Sequence, residues 1–247
     1  MASEVARIAM WSGPRNISTT MMRAFENRPD AAVVDEPFYA AYLIASGADH
    51  PYRRETLAAQ PLSLAAALRW LERPPSDFGK ADASILFIKM IAYHLPADAA
   101  LDFLDGWRNF LLIRDPARMV ASYVAKQGDV APILRSFAVA RAIFDHCDAR
   151  GLPCPIVDAA DIQRDPAKVL SRLCTALDVP FLDAMLSWPA GARDSDGPWA
   201  PHWYDAVRRS TGFMPYVEKP ADLTALEDQA VRNCRQDYEY LHIRRLT

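Results

Sequence analysis

One stretch near the amino terminus decides the fold: residues 8–23 read IAMWSGPRNISTTMMR. It begins with the apolar run of a buried strand and ends in a helical pattern. Between the two lies a tight turn at Gly13 and Pro14. A helix that begins directly after a strand presents free N–H groups and the positive end of its dipole. The stretch therefore predicts an anion-binding loop.

The side chains of this loop favour the same interpretation. Ser18, Thr19 and Thr20 offer hydroxyl donors, and Arg15 offers a guanidinium group that can bind a phosphate through two hydrogen bonds. The alternative is an ordinary capped helix with Ser18 as its N-cap, which is compatible with anion binding. The loop lacks the Gly-Lys pair of the ATPase motif GxxxxGK[ST].

Short apolar runs alternate with helical patterns along the rest of the chain. Strands are predicted at residues 7–11, 32–35, 84–89, 110–114 and 155–158, and helices at 18–27, 62–71, 133–149, 166–177 and 223–241. This alternation predicts an α/β fold in which helices flank a parallel sheet as a three-layer sandwich. We expect one domain over residues 1–247, with an irregular, lid-like segment at about 187–215. Its aromatic residues are Trp188, Trp199, Trp203 and Tyr204.

Composition narrows the classes of function. A net charge of −3 argues against nucleic acid as the main partner. The chain contains neither a signal-peptide pattern nor an apolar run long enough to span a membrane, so we expect a cytoplasmic protein. Its four cysteines lack metal-binding spacing and are predicted to be reduced thiols, and no metal is expected. The oligomeric state is left open.

A second motif lies at residues 110–123, which read FLLIRDPARMVASY. A continuously apolar strand, typical of a parallel sheet, ends at Arg114. Asp115 and Pro116 then begin a helix, and Ser122 follows two turns along it. Taken alone, the same pattern also describes a plain helix start beside a surface arginine.

Together, the two motifs resemble those of sulfotransferases, whose sulfuryl donor is 3′-phosphoadenylyl sulfate (PAPS). In that family P-[KR]-S-G-[ST]-T holds the 5′-phosphosulfate end, and residues 14–19 of this chain read PRNIST. The family's strand-terminal arginine and the serine eight residues later bind the 3′-phosphate, and Arg114 and Ser122 match that spacing. The resemblance implies that PAPS contacts Gly13, Pro14, Arg15, Asn16, Ile17, Ser18, Thr19, Thr20, Arg114 and Ser122. Because Asn16 and Ile17 replace Ser-Gly, we expect the backbone of Ile17 to do without positive φ.

Two residues are candidates for the base that deprotonates an acceptor. Glu36 follows the second predicted strand at the interval that the resemblance to tyrosylprotein sulfotransferases implies for a catalytic glutamate. His94 belongs to the run KMIAYHLP, which is similar to the K-x-H-L-P of cytosolic sulfotransferases but has extra residues after Lys89. We favour Glu36 slightly. Lys89, at a predicted strand end, is expected to contact the bridging oxygen or the acceptor, and Arg15 is expected to neutralise charge on the transferred group.

Other interpretations remain open at this stage. Asp35, at the end of a strand, is a possible Mg²⁺ ligand in a nucleotide-dependent kinase. A non-catalytic nucleotide-binding module is the third reading, since one fold hosts many functions. The aromatic residues of 187–215 are expected to cover the cofactor or line a pocket for a small acceptor bearing a hydroxyl or amine. Arg208, Arg209 and Ser210 are expected to add contacts to the 3′-phosphate.

Overall fold

A five-stranded parallel sheet forms the centre of the computed structural model, which describes residues 5–127, 129–218 and 221–247. The strands are β1 (Ala6–Ser12), β2 (Ala31–Asp35), β3 (Ile85–Ile91), β4 (Arg108–Ile113) and β5 (Ile156–Asp158). Their order in the sheet is β2-β3-β1-β4-β5, and each neighbouring pair is parallel. The predicted α/β fold with a parallel sheet is confirmed.

Helices cover both faces of this sheet. They are α1 (Ser18–Glu26), α2 (Tyr39–Ser46), α3 (Arg53–Ala59), α4 (Leu64–Leu71), α5 (Pro116–Gln127), α6 (Ala131–Ala149), α7 (Ala159–Arg164), α8 (Pro166–Ala176), α9 (Ala200–Trp203), α10 (Asp205–Arg209) and α11 (Ala225–His242). Predicted strands and helices begin and end within one or two residues of these bounds. The sequence analysis missed α2, α3 and α7, which are each too short to show a sustained helical period.

Each strand buries side chains on both faces of the sheet. Alternate residues of β1 belong to two separate cores: Trp11 packs beneath α4, α5, α6 and α11, whereas Met10 packs beneath α1, α7 and α8. In the same way Leu111 and Leu112 of β4 point to opposite sides. Two buried faces explain why these strands are continuously apolar instead of alternating.

The strand order creates a crevice between β1 and β4. After β1 the chain crosses to the β2 side of the sheet, and after β4 it crosses to the β5 side. At such a switch point the loops that follow the two strands diverge, and ligands bind outside the carboxyl ends of the strands. Both sequence motifs follow these two strands, so the fold brings them to the same crevice.

Residues 187–215 form a packed cover over this end of the sheet. The segment contains the short helices α9 and α10, which are joined to irregular chain. Buried Arg23 of α1 pairs with Asp196 of the segment, and Trp188 packs into the core beneath α1 and α8. Trp199 and Tyr204 form a third apolar cluster with Tyr39 of α2. We refer to residues 187–215 as the cover segment.

Within the described residues, no helix has the length and apolar character needed to cross a bilayer.

Asn109 ties the strands together through its buried amide group. It accepts a hydrogen bond from Trp11 Nε1 at 3.1 Å and donates to the carbonyl oxygens of Leu104 and Trp107 at 2.8 and 3.1 Å. We expect Asn109→Ala to lower the free energy of unfolding by about 2–3 kcal/mol, because it leaves these buried groups unpaired. Urea denaturation measures the change. Asn233→Ala, at an exposed position of α11, is the control and is expected to change stability by less than about 0.5 kcal/mol. A loss below about 1 kcal/mol for Asn109→Ala would contradict this account.

Candidate active site

The loop after β1 opens α1 without a side-chain cap. Ile17 is the N-cap residue of α1 and makes no side-chain capping hydrogen bond, so the alternative with Ser18 as N-cap is wrong. The N–H groups of the first helical turn are therefore available to an external anion. Ser18, Thr19 and Thr20 line a cavity of about 240 Å³ above them.

Ile17 adopts a left-handed backbone conformation, with φ of 48°, and Arg15 does the same, with φ of 58°. The expectation that Ile17 would avoid positive φ is thus wrong. Tertiary contacts hold the loop in place: Asn16 Nδ2 donates to the carbonyl of Leu112, and Arg114 Nη1 donates to the carbonyl of Arg15. Such a conformation costs a β-branched residue of order 1–3 kcal/mol, and strain of this kind concentrates at functional sites.

Two guanidinium groups meet in the crevice between β1 and β4. Arg15 and Arg114 both line the cavity, and Arg15 Nε donates to Ser122 Oγ at 3.0 Å. Burial lowers the pKa of both arginines, and Arg118 and Arg15 lower that of Arg114 further. Within residues 5–127, 129–218 and 221–247, neither forms an ion pair with a carboxylate. Since an unpaired buried charge is costly, the pair favours an anionic ligand.

A buried ion cluster lies on the opposite side of the same cavity. Lys89 Nζ donates to Asp35 Oδ1 and Tyr204 Oη, each at 2.8 Å, and to Glu36 Oε1. Although burial lowers the pKa of Lys89, the carboxylates of Asp35 and Glu36 raise it well above its ordinary value. Lys89 lies two residues before the end of β3, with all three ammonium protons engaged, and not at the strand end as predicted.

Glu36 presents a carboxylate to the cavity from a strained backbone position. Its φ is 47°, fixed by a hydrogen bond from its N–H to the Lys89 carbonyl at 2.9 Å and by Gln60 Nε2, which donates to its carbonyl at 3.1 Å. Burial raises the pKa of Glu36, Lys89 lowers it and Asp35 raises it again, leaving it at about 7. A carboxyl group that titrates near neutrality is suited to accepting and releasing a proton.

His94 lies behind this carboxylate and does not line the cavity. Its Nδ1 is 3.9 Å from Glu36 Oε2, and the ring stacks on Tyr39 with 4.5 Å between centroids. Both ring nitrogens are buried, and within the described residues neither has a hydrogen-bond partner. Burial holds the pKa of His94 well below its ordinary value. The imidazole is therefore neutral, and the Glu36 carboxylate lies between it and any ligand in the cavity.

Aromatic rings complete the wall of the cavity. They belong to α2, to the turn after β3, to α5 and to the cover segment: Tyr39, Tyr93, Tyr123, Trp199, Trp203 and Tyr204. The sequence analysis anticipated the cover-segment rings, but no pattern in the sequence singled out Tyr39, Tyr93 or Tyr123 as members of one wall.

Arg208, Arg209 and Ser210 do not line the cavity. Arg208 Nε lies 3.7 Å from Asp196 Oδ2, and Ser210 Oγ accepts a hydrogen bond from Trp188 Nε1 at 3.3 Å. Arg208 and Ser210 thus make contacts within the cover segment, and Arg209 is exposed. The structure does not bring them to Arg114 and Ser122.

A second cavity, of about 420 Å³, lies on the other side of Arg114. It is strongly polar, and Arg118, Arg164 and Tyr216 stand on its wall. The Tyr216 ring lies beneath both guanidinium groups, 4.5 Å from that of Arg118 and 4.1 Å from that of Arg164. Arg114 therefore separates an aromatic cavity from a charged one.

Comparison with known proteins assigns the family. Residues 6–236 match the sulfotransferase domain family, and the chain belongs to it. Two solved structures share the fold: the sulfotransferase domain from the curacin biosynthetic pathway and a sulfotransferase from Alicyclobacillus acidocaldarius. The first has a TM-score of 0.55 at 15% identity and covers 94% of this chain and 99% of its own. The second has a TM-score of 0.54 at 14% identity, with coverage of 98% and 97%.

Two curated relatives come from Arabidopsis thaliana and are named branched-chain-amino-acid aminotransferase-like proteins 2 and 1. Protein 2 is 32% identical over 95% of this chain, and protein 1 is 34% identical over 86%. The chain spans only 41% and 37% of their lengths, so those names describe much longer proteins.

The raised pKa of Glu36 predicts a pH-dependent stability difference. A carboxyl whose pKa rises on folding stabilises the fold fully below its unfolded value, and this contribution is lost as pH rises through about 7. Glu36→Gln does not ionise, so we expect it to gain stability relative to the unaltered protein between pH 5 and pH 8, by of order 1–3 kcal/mol. Urea denaturation across this range measures the difference. Glu55→Gln, at an exposed position of α3, is expected to show a stability difference that does not change with pH. The same result for Glu36→Gln would refute the raised pKa.

Proposed function

We propose that this protein transfers a sulfuryl group from PAPS to a hydroxyl or amine of a small acceptor. The observation that carries the proposal is the pair of half-buried guanidinium groups of Arg15 and Arg114, which lack carboxylate partners within the described residues and lie beside the uncapped start of α1. Membership of the sulfotransferase domain family supports the reaction class.

The two cavities together have room for the donor, and the cations Arg15 and Arg114 lie on the wall of the first. Binding sites for drug-sized ligands occupy about 300–1,000 Å³, so the first cavity, at about 240 Å³, is too small for a nucleotide and an acceptor at once. In this proposal the phosphosulfate end lies against Arg15 and the start of α1. The 3′-phosphate binds Arg114 and Ser122, and the nucleoside extends toward the charged second cavity.

The chemistry then divides between the two sides of the first cavity. Glu36 accepts the acceptor's proton as the acceptor oxygen or nitrogen bonds to sulfur, while the bond from sulfur to the phosphate oxygen breaks. Arg15 and the N–H groups of α1 stabilise the charge that develops on the departing phosphate. Much of the rate enhancement comes from holding the acceptor and the donor in line, as in phosphoryl transfer.

The walls of the first cavity favour an uncharged acceptor with an aromatic or other apolar body. Rings and aliphatic side chains surround Glu36, and the nearby cation Lys89 is occupied by Asp35, Glu36 and Tyr204. An acceptor carboxylate or phosphate would be repelled by Glu36, while the protons of Lys89 are already engaged. A small acceptor and a cytoplasmic location stay predictions from the sequence.

Contacts of Asp35 weigh against the kinase alternative. Its Oδ1 accepts from Lys89, and its Oδ2 accepts from Tyr204 Oη at 2.7 Å and from the Gly197 N–H at 3.1 Å. A carboxylate engaged in this way would have to break three hydrogen bonds to coordinate Mg²⁺. In the described parts of the chain, no group of three or more potential ligands is arranged for a metal ion.

Calorimetric titration with adenosine 3′,5′-bisphosphate tests the donor, with ATP–Mg²⁺ titrated in parallel. We expect the bisphosphate to bind more tightly, and Arg114→Ala to weaken its binding about 10- to 100-fold, because charged hydrogen bonds to the 3′-phosphate are lost. Arg232→Ala, on the exposed face of α11, removes the same charge elsewhere and is expected to leave binding unchanged. Binding of ATP–Mg²⁺ without the bisphosphate would exclude PAPS as the donor.

A transfer assay with sulfur-labelled PAPS and a panel of small phenols, alcohols and amines identifies the base. We expect Glu36→Gln to lower kcat about 10²- to 10⁴-fold, and kcat/KM of the unaltered enzyme to rise with pH through about 7, as Glu36 ionises. His94→Phe keeps the stacked ring and is expected to retain kcat within about fivefold. The reverse pattern would assign the base to His94.

A further inference from the structure

The cover segment contributes one hydroxyl group to the buried ion cluster, that of Tyr204. The residue is 5% exposed, and its oxygen contacts three groups. Lys89 Nζ lies at 2.8 Å, Trp199 Nε1 at 3.0 Å and Asp35 Oδ2 at 2.7 Å. Tyr204 is separated from Asp35 and Lys89 by more than a hundred positions in the sequence, so only the fold brings them together.

The direction of each hydrogen bond around this oxygen is fixed. An ammonium group and an indole N–H can only donate, so the Tyr204 oxygen accepts from Lys89 and from Trp199. Its own proton must then go to Asp35. The phenol stays protonated because burial raises its pKa well above the ordinary value, and the negative charge of Asp35 raises it further. Each donor and acceptor site of the hydroxyl is therefore used.

Glu36 depends on this arrangement. The three protons of Lys89 go to Asp35, Tyr204 and Glu36, so the Tyr204 oxygen sets the direction in which the remaining proton points at Glu36 Oε1. The proton that Tyr204 donates to Asp35 also reduces the repulsion between the two adjacent carboxylates. Without the hydroxyl, Lys89 would lose one acceptor and Asp35 one donor.

We propose that Tyr204 is a positioning residue for the base: its hydroxyl holds the Lys89–Asp35 pair so that Glu36 ionises more readily, with one carboxylate oxygen directed to the acceptor. The role of Glu36 as base rests on the proposed function. The positioning itself does not, because it concerns the ionisation of Glu36 in the protein without ligand. By this inference the cover segment belongs to the catalytic apparatus and is more than a wall of the cavity.

The titration of Glu36 tests the inference without requiring activity. Carbon-13 NMR of the full chain labelled at glutamate side-chain carboxyls follows each glutamate with pH, and Glu36→Gln identifies the Glu36 signal. We expect Tyr204→Phe, which keeps the ring, to raise the midpoint of Glu36 by about half a pH unit or more. Tyr240→Phe removes a hydroxyl from α11, outside both cavities, and is expected to leave the midpoint unchanged. An unchanged midpoint in Tyr204→Phe overturns the inference.

A second variant guards against a merely structural effect. Asp35→Asn removes the negative charge beside Glu36 and is expected to lower its midpoint, the opposite direction from Tyr204→Phe. In the double variant the two shifts are expected to be non-additive, because Tyr204 acts through the Lys89–Asp35 pair. Additive shifts would place Tyr204 outside the cluster's function.

The transfer assay separates this inference from the proposed function. If transfer occurs, we expect the acid limb of the pH profile of kcat/KM in Tyr204→Phe to shift to higher pH, by the same amount as the NMR midpoint. A moved midpoint with no sulfuryl transfer to any acceptor would overturn the proposed function while supporting the positioning role. A moved midpoint with an unmoved acid limb would show that Tyr204 does not act on the base.

Discussion

A buried ammonium group is the constraint on which the rest of the site depends. Lys89 is 1% exposed, and a charge so deeply buried is tolerated only when its protons and its charge are matched by neighbours. Asp35 and Glu36 supply the charge, and Tyr204 supplies the third acceptor. The second strand, the third strand and the cover segment must therefore meet at this point, which fixes the position of the cover above the carboxyl ends of the strands.

The two sides of the cavity carry opposite excess charge. Arg15 and Arg114 are partly buried cations whose described neighbours include no carboxylate in ion-pair contact, whereas the Lys89 cluster carries one more negative than positive group when all are ionised. In the proposed reaction, a donor with negative phosphates binds the first side and an acceptor that must lose a proton binds the second. The separation of charge across one small cavity is the physical basis of the proposed transfer.

Strain at the two loop positions shows how this family member departs from the sulfotransferase pattern. A glycine would reach positive φ without cost, yet Ile17 adopts it, and Glu36 does so at the end of the second strand. Hydrogen bonds from distant parts of the chain hold both: the Asn16 amide binds the fourth strand, and Gln60 binds the carbonyl of Glu36. The backbone conformation is thus set by tertiary contacts, which local propensity does not reveal.

Sequence alone determined the parallel α/β sheet and the loop after the first strand, because apolar periodicity and strand-to-helix junctions are local signals. The resemblance to sulfotransferases then singled out Arg114 and Glu36 as candidates beside Arg15. It did not determine that His94 lies outside the cavity wall or that Lys89 is fully engaged, since both facts depend on which elements pack together. The partnership of Tyr204 with the strand residues was likewise decided only by the tertiary structure. Contacts between residues far apart in the chain leave no periodic pattern, and their hydrogen bonds exist only once the cover segment closes over the sheet.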